Sequence, residues 1–209
     1  MTWAAMSLLL VILAACGTPA STHQTTPISP LTSPTTAQPS TTAGAGLPGG
    51  SDWTMYHRDA QRTGYSAATP DPQRLTKTWS KNLDGAVYAE PLVVGNRVIV
   101  ATEGDSLYAL DPATGNVLWR SNVGSPVPLS SLPCGDIGPL GITGTPVYDP
   151  ASGLVFAVAE VSGPAHILVG VDVTTGQIKM HRAVDTDGMD PRAHQQRGAL
   201  ALANGMVYI

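Results

Sequence analysis

The sequence predicts an all-β fold built from repeated four-stranded antiparallel sheets. Short apolar runs are separated by turns rich in glycine, proline and aspartate, a pattern typical of such strands. The segment 107–120 (LYALDPATGNVLWR) recurs as 168–181 (LVGVDVTTGQIKMH), and the strands upstream of it recur too. A period of about fifty residues with four short strands is typical of β-propeller blades. The predicted propeller is incomplete, with about two blades, part of a third and an N-terminal closing strand.

The charged residues are confined to the second part of the chain. The sequence has 209 residues and a net charge of −4, and no Asp, Glu, Lys or Arg precedes Asp52. A mild acidic excess without a basic cluster gives no indication of nucleic-acid binding. The two cysteines, Cys16 and Cys134, lack the CxxC or histidine spacing of a zinc site and do not form the framework of a disulfide-rich fold.

The first fifteen residues predict a signal peptide. Residues 3–15 form an uncharged apolar run of thirteen residues, which suits a signal peptide and is short for a membrane span. The run ends in Leu-Ala-Ala-Cys-Gly, which resembles the lipobox of bacterial lipoproteins, although no Lys or Arg precedes the run. This resemblance implies cleavage before Cys16 and lipidation of Cys16. The alternative is a buried apolar helix with an incidental cysteine.

Residues 16–50 predict a tether. The chain after Cys16 is uncharged and rich in Thr, Ser, Pro, Ala and Gly. This composition buries too little apolar surface to offset the entropy lost on folding, so we expect disorder. Lipid and tether together predict an extracytoplasmic protein anchored to the cell membrane, at the cell surface or in the periplasm. The folded domain is then expected at 51–209.

The folded domain opens with an aromatic and charged segment at 52–59 (DWTMYHRD). His57, Arg58 and Asp59 in this segment have the chemistry of catalytic groups. No nucleophile and no metal-ligand spacing accompanies them. We therefore favour a packed N-terminal arm with a local ion pair over a catalytic site.

The best-preserved repeat unit is the hairpin at 107–120. Two apolar strands flank the turn Asp-Pro-Ala-Thr-Gly at 111–115. The Asp111 carboxylate can accept hydrogen bonds from N–H groups of the turn, and Gly115 can adopt a positive φ. The second copy has the same residue types at three positions of the turn: Asp172, Thr175 and Gly176.

The upstream strands repeat with a similar spacing. Pro91, Pro146 and Ala199 begin equivalent strands and lie 55 and 53 residues apart. A partial copy precedes the first repeat, with Trp79 at the position of Trp119. An outer strand at the N-terminus of a propeller completes the last blade and closes the ring, which removes exposed sheet edges.

The hairpin resembles the tryptophan-docking motif AxDxxTGKxxW of pyrroloquinoline quinone (PQQ)-type β-propellers. This resemblance covers about 52–209 and implies that Trp119 wedges between adjacent blades, with its indole N–H bonded to a carbonyl. The first copy departs at Asn116, and the second has Gly170, Gln177 and Met180 for Ala, Lys and Trp, which implies weaker docking there. The matching residues are Ala109, Asp111, Thr114, Gly115 and Trp119 in the first copy and Asp172, Thr175 and Gly176 in the second.

The third repeat stops early in its blade. Ile209 falls in the second strand of that blade, whereas the family typically has about seven or eight blades and a ring needs at least about four. We therefore expect a truncated reading frame, and we expect residues 52–209 alone to form an open array that aggregates. The alternative is a complete small protein.

The connection before the second blade carries an insertion. It runs over 124–146 and is sixteen residues longer than its counterpart at 85–91. Insertions in propellers map to loops on one face, often the binding face. Cys134 in it is interpreted as a small buried side chain or as half of a disulfide. The candidate loop surface consists of Cys134, Asp136, His194 and Arg197.

Three functions fit these features, and no catalytic, cofactor or metal residue is assigned. The main hypothesis is a membrane-tethered, non-catalytic module that binds a protein or a small molecule and is monomeric when complete. The resemblance also implies a quinoprotein alcohol or sugar dehydrogenase that uses PQQ and calcium. That function needs an Asp base, Glu and Asn calcium ligands and often adjacent cysteines, none of which we place on a matching position. The third hypothesis is a scaffold lipoprotein of outer-membrane protein assembly, which shares the fold.

Overall fold

The computed structural model describes residues 52–66 and 74–209. The predicted signal peptide 1–15, the predicted lipidation site Cys16 and the predicted tether 16–50 lie outside the described residues. No helix in the described part of the chain is long and apolar enough to cross a membrane. Its elements are β1 Leu92–Val93, β2 Val98–Thr102, β3 Ser106–Leu110, β4 Val117–Asn122, a 3-10 turn Leu129–Ser131, β5 Val147–Asp149, β6 Leu154–Val161, β7 Ala165–Asp172, β8 Ile178–Ala183, β9 Ala201–Ala203 and β10 Met206–Tyr208.

Each full repeat forms one antiparallel sheet whose strands follow the order of the chain. The first sheet is β1-β2-β3-β4 and the second is β5-β6-β7-β8, while β9 and β10 pair in a third. Ala109 lies opposite Trp119 and Gly170 opposite Met180, and a register shift follows each of these pairs. The predicted all-β fold of four-stranded antiparallel sheets is confirmed, and the two repeats match in register as well as in sequence.

The burial of each strand explains its sequence pattern. All five residues of β3 are buried, because β3 is a central strand of its sheet and is covered on both faces. Its sequence SLYAL accordingly contains no charged residue. The outer strand β4 buries only Trp119 and Ser121 and exposes the residues between and around them. This alternation is the period of a strand with one face towards the core.

The main hydrophobic core lies between the first two sheets. Full burial of one large aliphatic side chain contributes about 1.5–3 kcal/mol to the free energy of unfolding. The packing of many such side chains therefore stabilises the contact between the two sheets. A second cluster around Val147, Val158 and Leu200 joins the second sheet to the third. The main core unites residues of both full sheets, among them Leu92, Ile99, Leu107, Val155 and Val169.

The segment 52–66 runs along the inner strands of the sheets. Trp53 exchanges two backbone hydrogen bonds with Val93 of the first sheet, at 2.8 and 3.0 Å. In the second sheet, the Tyr148 N–H donates to the Thr54 carbonyl at 2.8 Å. The Trp53 indole also donates to the Glu90 carboxylate. The segment therefore covers backbone groups at the inner edges of two sheets.

His57, Arg58 and Asp59 make contacts within this arm. The His57 ring stacks on that of the preceding tyrosine with centroids 4.0 Å apart. Asp59 accepts a hydrogen bond from the Thr63 N–H at 3.0 Å, and Arg58 donates one to the Tyr65 carbonyl at 2.5 Å. The three side chains thus take part in the folding of the arm on itself.

Candidate functional site

The antiparallel topology places the loops at two opposite ends of the sheets. Turns between the second and third strands lie at the same end as the connections from one sheet to the next. We name this end the connection face and define it by the turns 103–105 and 162–164 and the connections 123–146 and 184–200. The candidate residues Cys134, Asp136, His194 and Arg197 all lie on the connection face, and the docking hairpins lie at the opposite end.

The aspartates of the two docking hairpins form the same hydrogen bonds. Asp111 Oδ1 accepts from the Ala113 N–H at 2.9 Å, the Thr114 N–H at 2.8 Å and the Thr114 hydroxyl at 2.9 Å. Asp172 Oδ1 accepts the equivalent three bonds at 2.9, 2.8 and 3.0 Å. The bonds from the Thr114 side chain and backbone lower the pKa of Asp111. The ionised carboxylate of the motif aspartate therefore stabilises the turn through these hydrogen bonds.

The tryptophans join each hairpin to the preceding outer segment of the chain. The Trp119 indole N–H donates to the Val173 carbonyl at 3.0 Å, and its side chain is buried. The Trp79 indole N–H donates to the Pro112 carbonyl at 2.8 Å. A Cβ at Gly176 would lie 2.8 Å from the Trp119 ring, just as one at Gly115 would lie 2.6 Å from the Trp79 ring. The motif glycine thus has two reasons to be glycine: a positive φ and the ring that lies on it.

Residues 75–85, which include Trp79, were predicted as the closing strand of the last blade. In the structure they form no strand, and no strand of the described residues pairs with them. Gly170 replaces the motif alanine for a steric reason. A Cβ at Gly170 would lie 2.9 Å from the Phe156 ring and 3.3 Å from Met180 Cβ, so the larger neighbour Phe156 requires the smaller residue.

Two buried glutamates hold the connections on the connection face. Glu103 Oε2 accepts from the Gly141 N–H at 2.6 Å and its Oε1 accepts from the Thr143 hydroxyl at 2.8 Å. Glu160 Oε1 accepts from the Gln196 N–H at 2.7 Å. Both side chains are almost fully buried. This pair was not predicted from the sequence, although a glutamate occupies the equivalent position near the end of the second strand in each repeat.

Where the second sheet contributes to the connection face, His166 lies between two carboxylates. Its Nδ1 lies 2.5 Å from Asp185 Oδ1 and its Nε2 lies 3.6 Å from Glu160 Oε2. The Glu160 and Asp185 carboxylates raise the pKa of His166 to about 9, against the opposite effect of burial. A protonated, buried imidazole between two carboxylates therefore ties β7 to the chain after β8.

Asp105 is the buried acid of the first sheet's part of the face. It is fully buried, and neither of its carboxylate oxygens has a hydrogen-bond partner. Burial raises the pKa of Asp105 to about 8, and the charges of Glu103, Glu160 and Asp84 add to this effect. Burial also raises the pKa of Glu103. Carboxyl groups of two adjacent repeats thus meet at the boundary between the sheets.

Asp84 lies at the rim of this acidic cluster and is fully paired. It accepts hydrogen bonds from the Thr102 hydroxyl at 2.8 Å and the Ser106 hydroxyl at 2.6 Å. The Arg120 guanidinium lies 2.6 Å from it. Although burial opposes the shift, the bonds from Ser106 and Thr102 and the charge of Arg120 lower the pKa of Asp84. Asp84 therefore remains ionised where Asp105 does not.

The candidate loop residues bring the two connections into contact. Arg197 lies 3.7 Å from Asp136, and the Gln195 side chain donates to the Cys134 carbonyl at 3.3 Å. Cys134 is exposed, so its interpretation as a buried side chain is wrong. His194 instead bonds within its own connection, to the Asp190 carbonyl at 2.9 Å. A cavity of about 220 Å³ beside it is lined by His166, Asp185, Met189, His194 and Gln196 among others.

The described residues contain no cluster of acidic, histidine and cysteine side chains that could hold a metal ion. Nowhere in 52–66 or 74–209 do three His, Cys, Asp or Glu side chains converge as metal ligands. Within the acidic cluster, Glu103 instead accepts hydrogen bonds from a backbone N–H group and a threonine hydroxyl. Glu103 and Glu160 thus act as carboxylates that hold the connections in place.

The chain is similar to known proteins over most of its length. The sequence model of the family described as outer membrane protein assembly factor BamB matches residues 32–209. Among solved structures, BamB from Moraxella catarrhalis is similar at 23% sequence identity and a TM-score of 0.40, over 64% of this chain and 34% of that chain. This chain therefore spans about a third of the length of that structure. No curated protein matches it.

Proposed function

The chain belongs to the family of the outer membrane protein assembly factor BamB, and we propose that it is a scaffold in the assembly of outer-membrane proteins. In this proposal the propeller sheets bind a protein partner and catalyse no reaction. A lipid on Cys16 anchors the protein to a membrane outside the cytoplasm. Residues 16–50 then allow the sheets to reach partners away from the membrane surface.

The observation that carries the proposal is the family match over 32–209, which includes every described strand. It favours the assembly scaffold over the less specific hypothesis of a module for an unnamed ligand. The two hypotheses agree that the chain acts by binding. They differ in the partner, which for a scaffold of this family is a protein of the assembly process.

The connection face is the surface that we assign to this partner. Buried Glu103 and Glu160 fix both connections from beneath, so the loops form a pre-organised surface. Leu129 on this surface is 41% exposed, and Asp136 beside the contact with Arg197 is exposed as well. An apolar side chain surrounded by polar groups is a common arrangement in protein interfaces.

Photo-crosslinking in cells tests the proposal. A photoreactive amino acid at Leu129 in the full-length chain should capture outer-membrane proteins in transit or other components of their assembly, identified by mass spectrometry. The matched control is Ala151, an exposed residue of the turn 150–153 at the opposite end of the second sheet. Equal capture at both positions, or capture only of proteins unrelated to outer-membrane assembly, would contradict the proposal.

The quinoprotein alternative has its own direct test. Calcium and PQQ added to the purified full-length protein should give no stoichiometric binding and no dye-linked oxidation of alcohols or sugars. Tight binding of PQQ accompanied by substrate oxidation would overturn the scaffold proposal in favour of a dehydrogenase.

A further inference from the structure

Asp105 combines two unfavourable features in one residue. It lies in the turn between β2 and β3 with φ 55°, in the left-handed region that costs a residue with a side chain about 1 kcal/mol or more. Its side chain is fully buried, and both carboxylate oxygens lack a hydrogen-bond partner. Burial of an unpaired polar group is costly, and burial of an unpaired charge is far more costly. Glycine or asparagine would fit this turn without an unpaired acid.

The groups that face Asp105 are mostly acidic. Glu103 lies in the same turn, Asp84 comes from the segment before β1, and Glu160 comes from the end of β6. The nearby cations are engaged elsewhere: Arg120 pairs with Asp84, Arg197 with Asp136, and His166 with Asp185 and Glu160. Ionisation of Asp105 therefore adds a negative charge to a buried group of carboxylates and brings no new partner.

The run 140–143 closes over this turn. A Cβ at Gly141 would lie 2.8 Å from Asp105 Oδ1 and 2.6 Å from the Glu103 carbonyl oxygen, so the backbone of Gly141 rests directly on both residues. The Gly141 N–H donates to the Glu103 carboxylate at 2.6 Å, and the Ile142 N–H donates to the Thr102 carbonyl at 3.3 Å. Leu140 and Ile142 are fully buried. Any expansion of the turn must therefore displace this run.

We propose that Asp105 is a pH-dependent switch of the connection face: as a neutral acid it allows the run 140–143 to remain closed, and its ionisation opens that run. Opening exposes Asp105 to water and separates it from Glu103 and Glu160. It also loosens the connection 123–146, which carries Leu129, Cys134 and Asp136. The switch thus controls the order of the surface to which the sheets would bind a partner, and its test does not depend on the identity of that partner.

Proton linkage sets the size of the effect. In the closed state the pKa of Asp105 is raised to about 8, whereas in the open, solvated state the ordinary value of 3.8 applies. The closed state therefore holds the proton more tightly. The equilibrium constant for opening should rise about tenfold per pH unit between these values and level off above the higher one.

Hydrogen exchange of the full-length protein tests the switch. After correction for intrinsic exchange rates, protection of the Gly141 and Ile142 amides should fall about tenfold per pH unit between roughly pH 5 and 7.5. Amides in the middle of β7 should not show this slope. The variant Asp105→Asn keeps the shape of the side chain and tolerates the left-handed φ, and its slope should be clearly shallower, with the remainder due to Glu103, whose pKa burial also raises. The matched control Asp111→Asn, in the docking hairpin at the opposite end, should keep it.

A second measurement uses the unmodified protein, so its result does not depend on whether the variant folds. The Asp105 carboxyl carbon, followed by nuclear magnetic resonance, should titrate several pH units above ordinary aspartates. Titration near pH 4 would overturn the proposal. So would a protection slope at Gly141 that is unchanged in Asp105→Asn, or one that is absent from the unmodified protein.

Discussion

Replacing Trp119 by phenylalanine should weaken the contact between the first and second sheets. The indole N–H bonds to the Val173 carbonyl at 3.0 Å, and Trp119 is only 8% exposed. Phenylalanine leaves this carbonyl without its donor, at a cost of about 1–3 kcal/mol. The smaller ring also leaves a gap over Gly176, which adds about 1 kcal/mol. We expect a loss of about 2–4 kcal/mol in the free energy of unfolding.

Urea unfolding of the full-length chain, followed by far-ultraviolet circular dichroism, measures this loss without relying on tryptophan emission. The matched control is Trp79→Phe, because Trp79 makes the same type of bond, to the Pro112 carbonyl at 2.8 Å, in a more exposed setting. Water can replace the lost donor there, so the control should cost about 1 kcal/mol or less. If Trp79→Phe costs as much as Trp119→Phe, burial of the docking contact is not what stabilises the sheets.

Three further predictions concern other parts of the chain. Gly176→Ala should lower the free energy of unfolding more than Gly153→Ala. Both glycines have positive φ, at 76° and 73°, but only a Cβ at Gly176 would meet the Trp119 ring. Equal losses of the free energy of unfolding in urea would contradict this prediction. The free energy of unfolding should fall as the pH rises from about 6.5 to 9, because the folded-state pKa of His166 is raised above its ordinary 6.5 and the unfolded protein holds that proton less tightly. His166→Gln should make this part of the stability profile less steep, with the contribution of Asp105 remaining up to about pH 8, and an unchanged profile would refute the assignment. Cys16→Ser should abolish labelling by radioactive palmitate and release the protein from the membrane fraction, whereas retention of both in the variant would contradict a lipid on Cys16.

The sequence was most informative where repetition and local chemistry agree. The docking hairpins could be located because Asp111 and Asp172 each bond to the turn that follows them, so that the residues of the turn are specified locally. Comparison of two copies with the same spacing then predicted four strands per sheet. The residue types at 103 and 160 also repeat, but their partners Gly141 and Gln196 come from connections of different length. No short-range sequence pattern predicts the contacts of Glu103 with Gly141 and of Glu160 with Gln196.

The buried state of Asp105 could not be predicted for a related reason. A lone aspartate next to glycine in a turn is ordinarily a solvated residue. Here the run 140–143 folds back over the turn and helps to bury it, and that run belongs to the connection 123–146. The connection was recognised as an insertion, and a binding loop was inferred from it. Its second effect, the removal of Asp105 from water, is visible only in three dimensions.

The two repeats share a glutamate at one position of the connection face and differ in the ionisable residue at a second position nearby. Glu103 and Glu160 both hold the backbone of a following connection, at 2.6 and 2.7 Å. By register, position 105 of the first repeat corresponds to 166 of the second, since Ala109 and Gly170 are equivalent partners of the outer strands. The first repeat has an unpaired acid there, and the second has an imidazole paired with Asp185. In both repeats the folded-state pKa is raised, so the closed conformation is more stable when Asp105 or His166 is protonated. Loss of either proton therefore destabilises the closed conformation. Although one residue is an acid and the other a base, both should loosen the connection face as the pH rises.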